Sequence, residues 1–297
     1  MFKKLALNIF LFLTSGLLLS QSHRFKHITS EDGLSTNFVS SILKDDKGFM
    51  WFGTQDGLCR YDGYQFKVYK NTNENKSSLS SSDITRIYQH DDGMLYIGTR
   101  NSGLNIYNPY KDSFERIKLN ADKDGSDELK VNCFLNLDNS TVLIGTDKGI
   151  VSFNSKTKES KVVGLTGKKL EIVFLFKFES QIIVATEGWG LWQLTNNNQL
   201  KKINLLLPPS LKIDPTEIET INSITEVDGK LFLASHGGGV LKVNPGNFAV
   251  EKVFRFDDEN NNINFIEDVK VIDSKLLAIT RGGGIVLDLK TEKHNLF

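Results

Sequence analysis

The sequence predicts an all-β fold assembled from six copies of one four-stranded unit. Three observations predict it: a repeated motif, the constancy of its spacing, and the strand-turn pattern inside each copy. Trp51-Phe-Gly-Thr-Gln-Asp-Gly-Leu58 returns as Tyr96-Ile-Gly-Thr-Arg-Asn-Ser-Gly-Leu104 and as Leu143-Ile-Gly-Thr-Asp-Lys-Gly-Ile150. Weaker copies stand at Val184–Leu191, Leu233–Val240 and Ala278–Ile285. Anchored on Gly53, Gly98, Gly145, Ala185, Ala234 and Ile279, the spacings are 45, 47, 40, 49 and 45 residues. A period of ~40–50 residues is that of a β-propeller blade.

The first unit shows how each copy reads. Asn37–Lys44 is rich in strand formers, and Asp45-Asp-Lys-Gly48 is a turn. Phe49–Thr54 is a short apolar run suited to a strand covered on both faces. Gln55-Asp-Gly57 turns the chain into Leu58–Tyr61, and Asp62-Gly63 makes a hairpin. Tyr64–Lys70 alternates apolar and polar residues, as a half-exposed outer strand does. The Gly-Thr and Gly-Leu steps are expected where backbone crowding near the propeller axis leaves no room for a side chain. Asn71–Ser82 and Leu205–Thr220 read as loops between blades.

Composition sets the outer limits. The 297 residues hold 36 Lys/Arg and 36 Asp/Glu, and 39% are hydrophobic, so the chain is neither disordered nor polytopic. Met1-Phe-Lys-Lys4 followed by the apolar run Leu5–Leu19 and Ser20 has the form of a cleaved secretory signal peptide. That leaves residues 21–297 as the propeller domain, exported or periplasmic, with no membrane span. Without residues 1–20 the balance is 34 basic to 36 acidic residues, which offers nothing to nucleic acid. Cys59 and Cys133 cannot build a disulfide framework or a zinc site, and are expected as unpaired, mostly buried thiols.

Arg24–Thr29 reads as one short strand ahead of the first unit, in the manner of the outer strand of a further blade. The sixth unit already has an outer strand at Lys293–Phe297. Seven units would need about 315 residues, and residues 21–297 fall about 38 short, close to one blade without its outer strand. The expectation is therefore six blades plus an orphan N-terminal strand, an incomplete seven-bladed propeller and a piece of a longer protein. The alternative is a closed six-bladed ring with a redundant strand.

Phe25–Asn37, Asp46–Leu58 and Arg60-Tyr-Asp-Gly63 resemble the two-component regulator propeller repeat. The resemblance is specific in the first two units, fair in the third and loose in the rest. It implies a periplasmic sensor region of a hybrid histidine kinase, with polysaccharide use as the controlled process. It does not imply kinase activity in this chain, which has no nucleotide-binding glycine box and no phosphoacceptor histidine in a helical setting.

The turns between second and third strands converge at one mouth of a propeller. They supply the candidate ligand-binding residues Arg100, Asn101, Glu187, Trp189, His236 and Arg281. Trp189 would stack on a sugar, and Arg100 or Arg281 would read a carboxylate or sulfate. The plain alternative is that ring turns are polar because they face water. No catalytic pair, metal ligand set or cofactor motif is selected by spacing, and five scattered histidines do not form a metal centre. Asp122–Glu128 alternates oxygens like half of a calcium loop, but its glycine falls at the wrong step, so it reads as a solvated loop. The expected function is non-catalytic recognition of an oligosaccharide or other small polar ligand, or of a second propeller or sensor subunit. A carbohydrate hydrolase or lyase, or a protein–protein scaffold, is the alternative.

Overall fold

Alternating apolar residues and Asp-Gly turns fold locally into antiparallel hairpins, and four consecutive strands pair in chain order in every unit. The computed structural model describes residues 27–120, 128–164, 166, 168–211, 213–256 and 262–297. It contains six four-stranded sheets, each ordered first strand to fourth. Blade 1 is Val39–Lys44, Met50–Thr54, Gly57–Tyr61 and Phe66–Tyr69, each within a residue or two of the sequence reading. The outer strand begins at Phe66, and Tyr64, expected in it, is 96% exposed in the hairpin before it. The inner strands of blades 2 to 6 are Ile84–Gln89, Val131–Asn136, Ile172–Phe178, Ile221–Val227 and Ile266–Ile272. The sixth blade does carry its own outer strand, His294–Leu296.

Each inner strand carries a register shift at its second residue: Ser40, Thr85, Asn132, Val173, Asn222 and Glu267. A bulge frees one residue from the ladder and aims its side chain elsewhere. Four of these side chains donate to the first carbonyl of the next blade's inner strand. Ser40 reaches Ile84 at 2.6 Å, Thr85 reaches Val131 at 2.5 Å, Asn132 reaches Ile172 at 3.0 Å and Asn222 reaches Ile266 at 2.8 Å.

The repeated Gly-Thr step has two separate causes. A Cβ on Gly53 would meet Ile84 of the next blade at 2.7 Å, and one on Gly98 would meet Val131 at 2.8 Å. The crowding thus comes from the neighbouring blade's first inner residue. The following Thr54, Thr99, Thr146, Thr186, Ser235 and Thr280 are buried, and each hydroxyl donates at 2.8–2.9 Å to the carbonyl of the glycine that opens the third strand or just precedes it. That glycine has positive φ, +129° at Gly57 and +125° at Gly149, where other residues are strained. The clipped turn holds the mouth residues in place.

Apolar side chains gather between adjacent blades rather than in one central mass. Trp51 packs with Leu58, Ile84, Ile87, Leu95 and Tyr107 across blades 1 and 2. Blades 4 and 5 share a second such layer through Ala185, Leu191 and Ile221, and blades 5 and 6 a third through Ala234 and Ile266. Both cysteines are free and buried, and burial pushes the Cys133 thiol up to about 12. Residues 1–26 and 121–127, which include the expected signal peptide, part of the expected N-terminal strand and most of the calcium-like loop, lie outside the described residues.

The described part of that N-terminal segment corrects the strand expectation. His27–Thr29 are irregular, and Ser30–Asp32 form a 3-10 turn capped by Thr29. Beyond it, Leu34 is buried with Phe52 and Cys59, and the Ser35 hydroxyl lies 2.7 Å from that of Thr54. A capping box and a packed leucine hold this segment on blade 1, so over His27–Thr29 it does not run as a blade strand.

Asp112 ties blades 1 and 2 together at their outer edge. Burial alone would raise its carboxyl pKa. The Lys67 ammonium and the hydroxyls of Tyr69 and Tyr107, at 2.7 and 2.8 Å, instead hold it down at about 2. The folded value lies below the unfolded one, so this contribution is present above pH ~4 and is lost as pH falls toward 2. The stability advantage of the protein over Asp112→Asn should therefore shrink across that window in urea titrations. A constant difference from pH 6 to pH 2 would show that the carboxylate contributes nothing.

Candidate functional site

Strand direction alternates within every blade, so the end of each second strand and the start of each inner strand lie on the same face. The six sequence-predicted residues all sit on this face, in the clipped turns. In blades 2 to 6 a backbone bond fixes the turn to its own blade: the amides of Arg100, Asp147, Glu187, His236 and Arg281 donate to the carbonyls of Asp83, Lys130, Glu171, Thr220 and Phe265.

Side chains then decide which positions can meet a ligand. Arg100 donates through Nε to Asp83 at 2.7 Å, and Arg281 does the same to Glu267 at 2.7 Å. Asn101 borders a shallow cleft of about 320 Å³ lined by Arg116 and Lys118, and Arg116 is occupied with the carbonyls of Asn75, Ser78 and Leu79. It holds the inter-blade loop. Trp189 is 45% exposed, the Lys168 ammonium lies 3.9 Å from its ring centroid, and the Lys202 ammonium donates to its carbonyl. Burial and the nearby Lys168 charge outweigh the pull of Glu219 and lower the Lys202 pKa.

The predicted residues that converge are His236 and Arg281, and Phe265 joins them. The imidazole of His236 meets the Phe265 ring edge-on at 5.0 Å, and the Arg281 guanidinium lies 5.4 Å from the same ring. Beside this trio a cleft of about 460 Å³ opens between blades 5 and 6. It is lined by Thr216, Glu217, His236, Gly237, Arg255, Asn264 and Phe265. Glu217 and Arg255 form an ion pair in its wall. Asn264 bonds both the amide and the carbonyl of Phe256, at 2.9 and 2.8 Å, and so fixes the floor.

Local sequence explains why Glu217 is there. Asp214-Pro-Thr-Glu217 is a capping box at the start of the 3-10 turn Pro215–Ile218: Asp214 accepts from the Thr216 amide at 2.9 Å, and Glu217 reaches back to the Asp214 amide. Ile218 is buried beneath it. Glu217, Arg255 and Phe265 were not selected from the sequence, although the capping box was a readable signal for the first. Among the described residues, no hydrogen bond or ion pair links the Arg100–Asn101, Glu187–Trp189 and His236–Arg281 groups. An aromatic face, an imidazole and a carboxylate–guanidinium pair in one open cleft can bind a small polar molecule by stacking and charge-assisted hydrogen bonds.

Comparison with known proteins agrees with the repeat. The family model described as "Two component regulator propeller" matches residues 33–56 and 78–101. Histidine kinase P4 of Formosa agariphila is 42% identical over 73 residues, 24% of this chain and 5% of that protein. The fold is that of the extracellular domain of the putative hybrid two component system BT3049 from B. thetaiotaomicron, with a TM-score of 0.73 at 19% identity, covering 92% of this chain and 36% of that one. The corresponding domain of BT4673 from the same organism gives 0.72 at 19% identity, covering 94% and 39%. The chain therefore spans little more than a third of those structures and a small part of the curated relative. Its first two units thus match the two-component regulator propeller repeat, and the chain folds into six blades of that four-stranded pattern.

Proposed function

We propose that this chain is the exported sensor propeller of a two-component system, one that recognises a ligand and catalyses nothing itself. The observation that carries the reading is the paired repeat match, supported by the 42% identity to a histidine kinase over 73 residues. On this reading the chain is a piece of a larger sensor kinase, the kinase lies elsewhere in that protein, and a seventh blade completes the ring. The ligand is a small polar molecule, an oligosaccharide, bound at the cleft where His236, Phe265 and the Glu217–Arg255 pair meet. Phe265 would supply the stacking face and the ion pair would bond hydroxyls.

Calorimetric titration with neutral, carboxylated and sulfated oligosaccharides tests this. Saturable binding without product is expected, weakened at least tenfold by Phe265→Ala and by His236→Ala. Turnover of any member would favour a hydrolase or lyase. Binding untouched by both substitutions would move the site elsewhere on the mouth.

A further inference from the structure

Five blade-to-blade contacts are built; all share one device and four share a second. The second-strand anchor is small, Gly53, Gly98, Gly145, Ala185 or Ala234, and the successor's inner strand begins with a β-branched residue that packs on it. In four of the five, the bulge residue also donates to that strand's first carbonyl. Blade 6 departs from both. Its anchor is Ile279, 43% exposed, and its bulge residue is Glu267, whose carboxylate has no hydrogen to donate and turns to Arg281.

The opposite end of the array is open as well. Ile42 is 59% exposed, whereas at the same strand step Ile87, Leu175, Ile224 and Val269 are 5% exposed or less and Phe134 is half-buried. The strands of blades 1 and 6 do not pack on each other as the other neighbours do. Direct closure would bring Val39, which begins the first inner strand, onto Ile279. A glycine Cβ at that step already stands 2.7–2.8 Å from the successor's β-branched side chain, so two branched residues cannot share it.

From this we infer that the two open faces receive one further four-stranded blade, selected by size. Its inner strand begins with Gly, Ala or Ser opposite Ile279, while its own small anchor and bulge donor seat Val39 in the ordinary way. The inference rests on the closing-blade reading above and adds the rule by which that blade is chosen. Ile279 serves both to block a six-bladed closure and to reject a standard blade.

The test extends the full chain at its C-terminus with a copy of its own second repeat, residues 78–119. One copy keeps the isoleucine that begins its inner strand, and the other carries Ile84→Ala in the copy. Each is joined to the native chain and to its Ile279→Ala variant, and hydrogen exchange is followed in Val39–Lys44 and Lys275–Thr280. On the native chain, the alanine-led copy should slow exchange in both strands at least tenfold and the isoleucine-led copy should not. On Ile279→Ala the isoleucine-led copy should protect as well. Equal protection by both copies on the native chain would overturn size selection and leave the closing blade standing. No protection by any copy on either background would overturn both.

Discussion

Trp51→Ala is expected to remove about 3–5 kcal/mol of unfolding free energy, the usual cost of deleting a fully buried tryptophan. Trp51 is 1% exposed and stands at the centre of the layer between blades 1 and 2, with Tyr107 edge-on at 5.0 Å and Tyr69 stacked at 5.9 Å. Its indole nitrogen donates to Asp45 at 2.7 Å, and the same carboxylate takes the amides of Lys47 and Phe49. Truncation therefore opens a cavity and leaves one buried carboxylate oxygen without its donor. Equilibrium unfolding in urea, with Trp51→Phe beside it, separates the two parts. Phenylalanine keeps most of the packing and loses the hydrogen bond, so its cost should be well under half that of alanine. A loss below about 1 kcal/mol for Trp51→Ala would mean the layer between blades 1 and 2 is not close-packed.

Gly98→Val should be nearly as damaging, for the opposite reason. A Cβ at Gly98 would stand 2.8 Å from Cγ1 and 2.9 Å from Cβ of Val131, closer than carbon atoms approach. A branched side chain would force blades 2 and 3 apart, and overpacking of this kind costs 1–3 kcal/mol or more. Ile279→Val is the control, because the equivalent side chain on blade 6 is 43% exposed, and losing one methyl there should change stability by no more than about 0.5 kcal/mol. Thermal midpoints of the two variants make the comparison. A similar midpoint for both would contradict the close approach of successive blades.

These two residues also show how much was legible beforehand. The motif around Gly98 was visible because the demands on it repeat: a small anchor, a hydroxyl that clips the turn, and a glycine that tolerates positive φ. Constraints of this kind act within a few residues of chain, so they leave a periodic mark. What the motif meant was only partly legible. The crowding attributed to the propeller axis is exerted by the neighbouring blade, through Ile84, Val131 and their equivalents.

The candidate site was harder to read. His236 and Arg281 were found because they occupy the repeated turn, but the cleft beside them also needs Glu217 from a capped loop, Arg255 from the end of an outer strand and Phe265 from the approach to an inner strand. These lie on three different elements, so no spacing connects them. Arg100 illustrates the converse. The turn placed it on the mouth as expected, yet its guanidinium bonds Asp83, a partner seventeen residues away that periodicity could not reveal.

The sequence alone determined the unit and its six copies, because strand pairing within a blade is local and each blade repeats the same demands. Only the tertiary structure decided which polar residues meet, that the N-terminal segment settles on blade 1, and that the first and last blades stand apart. Those outcomes depend on packing between blades, where side chains some 45 residues apart come into contact and one branched carbon changes what fits.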